Sequence, residues 1–215
     1  LCTAALLPKD QEDRTLYTIL AKPVSRFEYL LGKLSGVFLL LTIAVILMSA
    51  MFAGVLGIRE QQEIAEVIQS TPAEQVSQAV EAVRASAFQS NLVPGILLIL
   101  LKALLCSTLT LLLSTVATSS VFTILTSVVI YLIGHVQTIA REAWLAGGDA
   151  TAMVKVLSAG VALVFPDLQL FNVVDEIAVG TALPMPLFWQ VSGFGLIYIA
   201  VYFLLAQVIF ASKEL

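Results

Sequence analysis

Charge is what this sequence has least of. Only 12% of its 215 residues are Asp, Glu, Lys or Arg, against about 25% in an ordinary soluble domain. The 11 basic residues are outnumbered by 15 acidic ones, so no basic patch exists to neutralise phosphates, and nucleic acid is excluded as a partner. Cysteine is nearly absent: Cys2 and Cys106 lie in apolar sequence, form no metal or disulfide pattern, and read as packing residues. No Gly-rich loop followed by Lys and Ser or Thr occurs, so the chain does not bind ATP in that way. No Ser/His/Asp or Cys/His arrangement supports hydrolysis, and the chain does not read as an enzyme. The apolar start lacks the preceding basic region of a signal peptide. There is no internal repeat and no low-complexity linker.

What remains is apolar. Hydrophobic residues make up 59% of the chain, above the roughly 45–50% of soluble domains. They are gathered into long runs, which defines an all-α polytopic membrane protein. Leu34–Leu56 is free of charge for 23 residues, and about 20 residues of helix cross the roughly 30 Å hydrocarbon core. The first complete span is therefore residues 34–57, with Gly54 and Gly57 as its expected end. Residues 94–116 form the second span, interrupted only by Lys102, and residues 121–136 the third. The turn at 117–120 makes these two a tight antiparallel hairpin. Their many Ser and Thr residues are expected to bond their own carbonyls or a neighbouring helix. Residues 188–211 are the last span, with Trp189 placed for the interfacial aromatic belt, and 212–215 are a short tail. Leu1–Leu7, within a segment 1–8, reads as the tail of an earlier membrane helix whose body lies upstream; a natural apolar stub is the alternative.

Between these spans lie two larger polar regions. In 58–93, Ile64, Val67, Ile68, Val76, Val80, Val83 and Phe88 recur at helical spacing, predicting one or two amphipathic helices broken near Ser70–Pro72. Thr71 with Glu74 forms a capping-box pattern, and Pro72 suits a first helical position. The second region, 137–187, holds an apolar stretch, Met153–Phe165, too short to cross and read as an interfacial or re-entrant helix. Asp167, Asp175 and Glu176 read as a solvated acidic face rather than a cation site. His135 reads as an interfacial polar residue rather than a ligand or proton relay.

Lysine and arginine orient the chain. Lys9, Arg14, Lys22, Arg26 and Lys33 precede the first complete span, while 58–93 holds only Arg59 and Arg84, and 137–187 only Arg141 and Lys155. By the positive-inside rule, 9–33, 117–120 and 212–215 are cytoplasmic and the two larger regions extracytoplasmic. All four spans agree with this arrangement.

The segment 9–33 carries the strongest local signal. Asp10, Glu12 and Asp13 precede Leu16, Tyr17, Ile19 and Leu20, which predicts an amphipathic helix over about 11–21. Pro23 ends it, and Ser25 with Glu28 then opens a second helix as a capping box. A short helix, an elbow and a membrane helix form an element that can transmit force, or one that merely turns the chain on the membrane surface.

The run Glu12-Asp-Arg-Thr-Leu-Tyr-Thr-Ile-Leu-Ala-Lys-Pro-Val-Ser-Arg-Phe-Glu-Tyr-Leu-Leu-Gly-Lys33 resembles the coupling-helix region of ABC-2 type transporter permeases. It is similar in particular to the copper-processing permease of nitrous oxide reductase maturation and to gliding-motility permeases. Glu12, Thr15, Leu16, Leu20, Lys22, Pro23, Val24, Ser25, Arg26, Gly32 and Lys33 match its pattern. Phe165-Pro-Asp-Leu-Gln-Leu-Phe-Asn172 resembles the segment outside the membrane before the last helix, and Ala211–Leu215 the charged tail after it.

The resemblance implies a six-helix, type V exporter-like transmembrane domain whose first helix and most of whose second are missing here. It implies a permease dimer, homodimeric or of related chains, in the bacterial inner membrane. ATP and magnesium would sit on separate ATP-binding cassette subunits, with no cofactor in this chain. Those subunits would dock on the coupling helix through Glu12, Arg14, Leu16, Tyr17 and Leu20, with Pro23 and Arg26 passing motion onward. The implied function is export, or work outside the membrane, driven by ATP; the alternative is a non-transporting ATPase-coupled anchor or mechanotransmission protein. The long region 58–93 departs from the family pattern and suggests an extracytoplasmic protein partner, beside membrane lipid. Lys102, an ionisable residue inside a span, is a candidate for the translocation path, for pairing with an acid on the absent helices, or for snorkelling.

Overall fold

A computed structural model describes residues 25–70, 72, 75–87, 92–117, 119–146, 165–172 and 184–212. These form helices α1 (Arg26–Ser70), α2 (Val76–Ala87), α3 (Leu92–Val116), α4 (Ser120–Ala146) and α5 (Met185–Ser212), with a 3-10 turn at Leu168–Phe171. Among the described residues, α1, α3, α4 and α5 are the helices long and apolar enough to cross a membrane.

The capping box predicted at the start of α1 is present. The Ser25 N–H donates to Glu28 Oε2 at 3.0 Å, and the Glu28 N–H donates to Ser25 Oγ at 3.2 Å. Each residue thus satisfies an amide that the first helical turn leaves without a partner.

Gly54 and Gly57 do not end this helix, contrary to the expectation from sequence. α1 runs unbroken for 45 residues. At 1.5 Å per residue that is about 67 Å, more than twice the hydrocarbon thickness. The reason is packing. A helical glycine costs only about 1 kcal/mol relative to alanine. Beyond Gly57, the partly buried Glu60, Ile64 and Val67 form one stripe at i, i+4, i+7. α2 packs back along α1, with its own partly buried stripe of Val76, Ala79, Val80 and Val83. The amphipathic region is therefore a helical hairpin whose first arm continues a membrane helix. Its break falls where the sequence placed it: α1 stops at Ser70, and the Pro72 carbonyl accepts from the Gln75 N–H at 2.9 Å before α2 begins. Thr71 and Glu74 lie outside the described residues.

α3 is the central helix, touching α1, α4, α5 and the 3-10 turn. Its closest partner is α5, and the main core lies between them: Leu98, Leu105 and Leu109 against Val191 and Tyr202. α3 and α4 pack as the expected hairpin. Helix α4 then continues past Val136 to Ala146. Several hydroxyls of this hairpin bond their own helices: Ser107 donates to the Ala103 carbonyl, Thr108 to Leu104, Thr110 to Cys106 and Ser127 to Thr123. Pairing with carbonyls already in the helix leaves the helix surface apolar.

Most of α1 faces outward. Leu39, Leu47, Met48 and Met51 are all exposed, and none of the apolar window of this helix is buried. That surface suits lipid or a second membrane helix.

Candidate functional site

Three places hold side chains whose arrangement exceeds simple packing. The first is the junction where the chain enters α1. Arg26 Nη1 donates to the Phe210 carbonyl at 3.0 Å and to the Ala211 carbonyl at 2.8 Å. These are among the last carbonyls of α5, for which the helix itself has no N–H donors left. A guanidinium there also complements the negative end of the helix dipole. Around this clasp the Tyr29 ring stacks on Phe210 at 5.8 Å between centroids, and Phe27 meets Phe203 edge-on at 5.7 Å. Leu30, Ala206 and Phe210 are fully buried. The start of α1 and the end of α5 are thus one packed unit. Among the residues expected to couple to an ATPase, Arg26 is the one placed; Glu12, Arg14, Leu16, Tyr17, Leu20 and Pro23 lie outside the described residues.

The second place is inside the hairpin. Lys102 Nζ on α3 lies 3.3 Å from His135 Nε2 on α4. The Tyr131 ring, one turn earlier on α4, sits 4.6 Å from the imidazole. His135 is therefore a neighbour of the intramembrane lysine, near the end of its apolar stretch. The partner of Lys102 among the described residues is a histidine. An apolar cavity of about 170 Å³ has walls that include Cys106, Leu109, Ser127, Tyr131 and Leu168; neither Lys102 nor His135 lines it. Across Leu109 and Ile130 lies a wider apolar groove of about 580 Å³, bounded by Phe165, Tyr198 and Tyr202.

The third is the segment Phe165–Asn172. It does not lie free on a surface. Leu168 and Phe171 are buried in the main core, and the segment packs against α3 and α4. Two glycines make room for it. A Cβ on Gly134 would stand 3.0 Å from Leu168 and from the Pro166 carbonyl; one on Gly195 would stand 3.0 Å from the Phe171 ring and 2.9 Å from Leu101. Asp167 is 5% exposed and accepts from the Gln169 N–H at 3.1 Å, capping the 3-10 turn. This corrects its reading as a solvated acid. Asp175 and Glu176, like residues 153–164, lie outside the described residues. Among the described residues no three His, Cys, Asp or Glu side chains gather into a group able to hold a metal.

Among the described residues, four apolar helices, a buried segment before the last of them and an outward-facing first helix define a multi-pass α-helical membrane protein. The chain belongs to the ABC-2 family transporter proteins, whose family model matches residues 2–208. The match takes in residues 9–33, the hairpin and most of the last helix, and it assigns the chain to the non-catalytic transmembrane component. No curated protein and no solved structure matches the chain.

Proposed function

We propose that this chain is the permease subunit of an ABC-2 type transporter, coupling ATP hydrolysis on separate subunits to export or to work outside the membrane. The observation that carries the reading is the clasp of Arg26 on Phe210 and Ala211. Residues 9–24 immediately precede it and would hold the ATPase-docking helix, with Glu12, Arg14, Leu16, Tyr17 and Leu20 as contacts. A displacement delivered through Pro23 would meet a unit composed of α1 and α5 rather than a lone helix. Both would shift relative to α3, which supports a change of access between them. ATP and magnesium would reside on the ATPase. A second copy of the permease, or a related chain, would complete the assembly in a bacterial inner membrane, with the α1 start on the cytoplasmic side.

A second reading is favoured by one feature. α1 is long enough to leave the membrane and carry α2 on its far end. Such a stalk suits a protein that passes ATP-driven motion to an extracytoplasmic partner without moving a solute.

The test is reconstitution of the permease with its ATPase in vesicles. Glu12→Ala with Leu16→Ala should abolish copurification of the ATPase and ATP-driven solute movement. An ATPase that still binds this double variant would sink the coupling assignment. ATP hydrolysis that needs the permease, with no solute moved, would favour the mechanical reading.

A further inference from the structure

We infer that the start of α1 holds a phospholipid with a primary-amine head, of the phosphatidylethanolamine kind, in a groove floored by Gly32 and Gly36. The site goes beyond the permease reading and needs no ATPase.

The groove follows from two adjacent rows of side chains on α1. Glu28, Gly32, Gly36 and Leu40 recur every four residues, and Tyr29, Lys33 and Val37 form the row beside them. Residues four apart on a helix stand one above the other. The two glycines therefore leave a gap between the Glu28 and Leu40 side chains. A Cβ added at either glycine would meet nothing within 4 Å. Both rows line one groove of about 500 Å³, inside the roughly 300–1,000 Å³ range of ligand sites.

The lining is ordered along the helix as a phospholipid is ordered along the membrane normal. Lys33 is the last charged residue before a charge-free stretch that runs to Ile58. Glu28 lies about 7.5 Å before it along the helix axis, and Val37 and Leu40 lie about 6 and 10 Å beyond it. Charge at the level of the head groups thus gives way to apolar surface at the level of the hydrocarbon. Leu40 is 59% exposed, and Gly32 and Gly36 are exposed, so an acyl chain reaches the gap directly from the bilayer.

The two charges select the head group. Lys33 brings an ammonium, leaning over the Tyr29 ring with Nζ 5.6 Å from its centroid. Glu28 brings a carboxylate, oriented by the Ser25 N–H that donates to its Oε2 at 3.0 Å. A carboxylate accepts several hydrogen bonds, so the capping bond leaves it able to accept more. A phosphate beside Lys33 and an amine beside Glu28 would each make a charge-assisted hydrogen bond. Phosphatidylethanolamine carries both groups a short link apart. Phosphatidylcholine carries the phosphate but has no N–H for Glu28. Phosphatidylglycerol carries a net negative charge, which Glu28 repels.

The test is native mass spectrometry of the purified protein, stripped of lipid in detergent and then offered phosphatidylethanolamine, phosphatidylcholine and phosphatidylglycerol with identical chains. Wild-type protein should retain one phosphatidylethanolamine at least tenfold more tightly than either of the others, a comparison that needs no variant to fold. Glu28→Gln keeps a side chain able to cap Ser25, and should lower phosphatidylethanolamine to the level of phosphatidylcholine while leaving phosphatidylcholine unchanged. Lys33→Met should weaken both several-fold. Gly36→Leu should fill the gap and abolish retention, with an unfolding midpoint no lower than that of the wild type, since leucine favours helix over glycine. Equal retention of phosphatidylethanolamine and phosphatidylcholine by the wild type, or tighter retention of phosphatidylglycerol, would overturn the site. So would an undiminished preference in Glu28→Gln or Gly36→Leu. If the wild type retains no lipid and Gly36→Leu splits a dimer, a second copy fills the groove and the proposal fails. Copurification of the ATPase should be unchanged in Gly36→Leu, so loss of the lipid site and loss of ATPase docking are read apart.

Discussion

Arg26 and Phe210 are 184 residues apart in sequence, yet the guanidinium of one donates to the carbonyl of the other at 3.0 Å. The bond joins the residue that opens α1 to the closing turn of α5. Hydrogen bonds to a charged group contribute about 1.5–3 kcal/mol, and exposure of the second one, to Ala211, puts the pair near the lower end. Arg26→Ala should destabilise the folded protein by about 1–2 kcal/mol, measured as a lowered midpoint of unfolding in detergent. In the reconstituted complex it should also weaken the link between ATP turnover and the function of the permease. Arg26→Lys should recover part of the stability only: an ammonium has N–H groups enough for both carbonyls, but it sits on a shorter, flexible stem and lacks the planar group that holds Nη1 in place. Unchanged unfolding in Arg26→Ala would show that the clasp adds nothing to packing.

The capping box next to it makes a smaller prediction. Ser25→Ala removes the acceptor for the Glu28 N–H, and Glu28→Ala removes the acceptor for the Ser25 N–H. Each should cost about 0.5–1 kcal/mol, since both bonds are exposed to solvent. The two effects should not add fully, because the bonds are reciprocal. A double-mutant cycle in unfolding experiments measures that shortfall.

Local rules made the box legible from sequence, as they did the four apolar runs, the break after Ser70 and the turn between α3 and α4. Each depends on neighbours within a few residues. The continuation of α1 past Gly57 was not legible, because it depends on α2 packing against the far half of the helix. Arg26 was assigned to coupling from a motif, but its bond to α5 depends on residues at the opposite end of the chain. Lys102 was marked by its charge, whereas its neighbour His135 lies on the other arm of the hairpin. Asp167 looked like part of an acidic surface because three acids share one short region. Its burial follows from Leu168 and Phe171, which draw the segment into the core.

The long α1 gives a third prediction. Glu63→Pro would break the helix beyond the apolar stretch, where proline costs about 3 kcal/mol or more. The break should detach the far arm of the hairpin and leave the four membrane helices folded. Spin labels placed singly along residues 58–70 should show a 3.6-residue periodicity of mobility in the wild type. That periodicity should fade beyond position 63 in the variant. Loss of the whole protein instead would mean that the hairpin supports the membrane bundle.

The glycines give the last prediction, because four of them on membrane helices divide sharply by surroundings. Gly134 and Gly195 stand where a Cβ would come within about 3.0 Å of Leu168, the Pro166 carbonyl and Phe171. Gly32 and Gly36 have nothing within 4 Å. Overpacking a core costs about 1–3 kcal/mol. Gly195→Ala should show this cost, and Gly134→Ala should lie toward the upper end, because a backbone carbonyl yields less readily than a side chain. Phe171→Ala, which empties a site only 1% exposed, should cost about 3–5 kcal/mol. In Gly195→Ala combined with Phe171→Leu the clash with the aromatic ring is absent, so the double variant should be more stable than additivity requires. Gly32→Ala and Gly36→Ala should be neutral or stabilising by up to about 1 kcal/mol in the isolated chain, as alanine favours helix. If they instead destabilise only the assembled complex, this face of α1 meets another helix there. Unfolding midpoints of the isolated and assembled protein, measured side by side, separate the two cases.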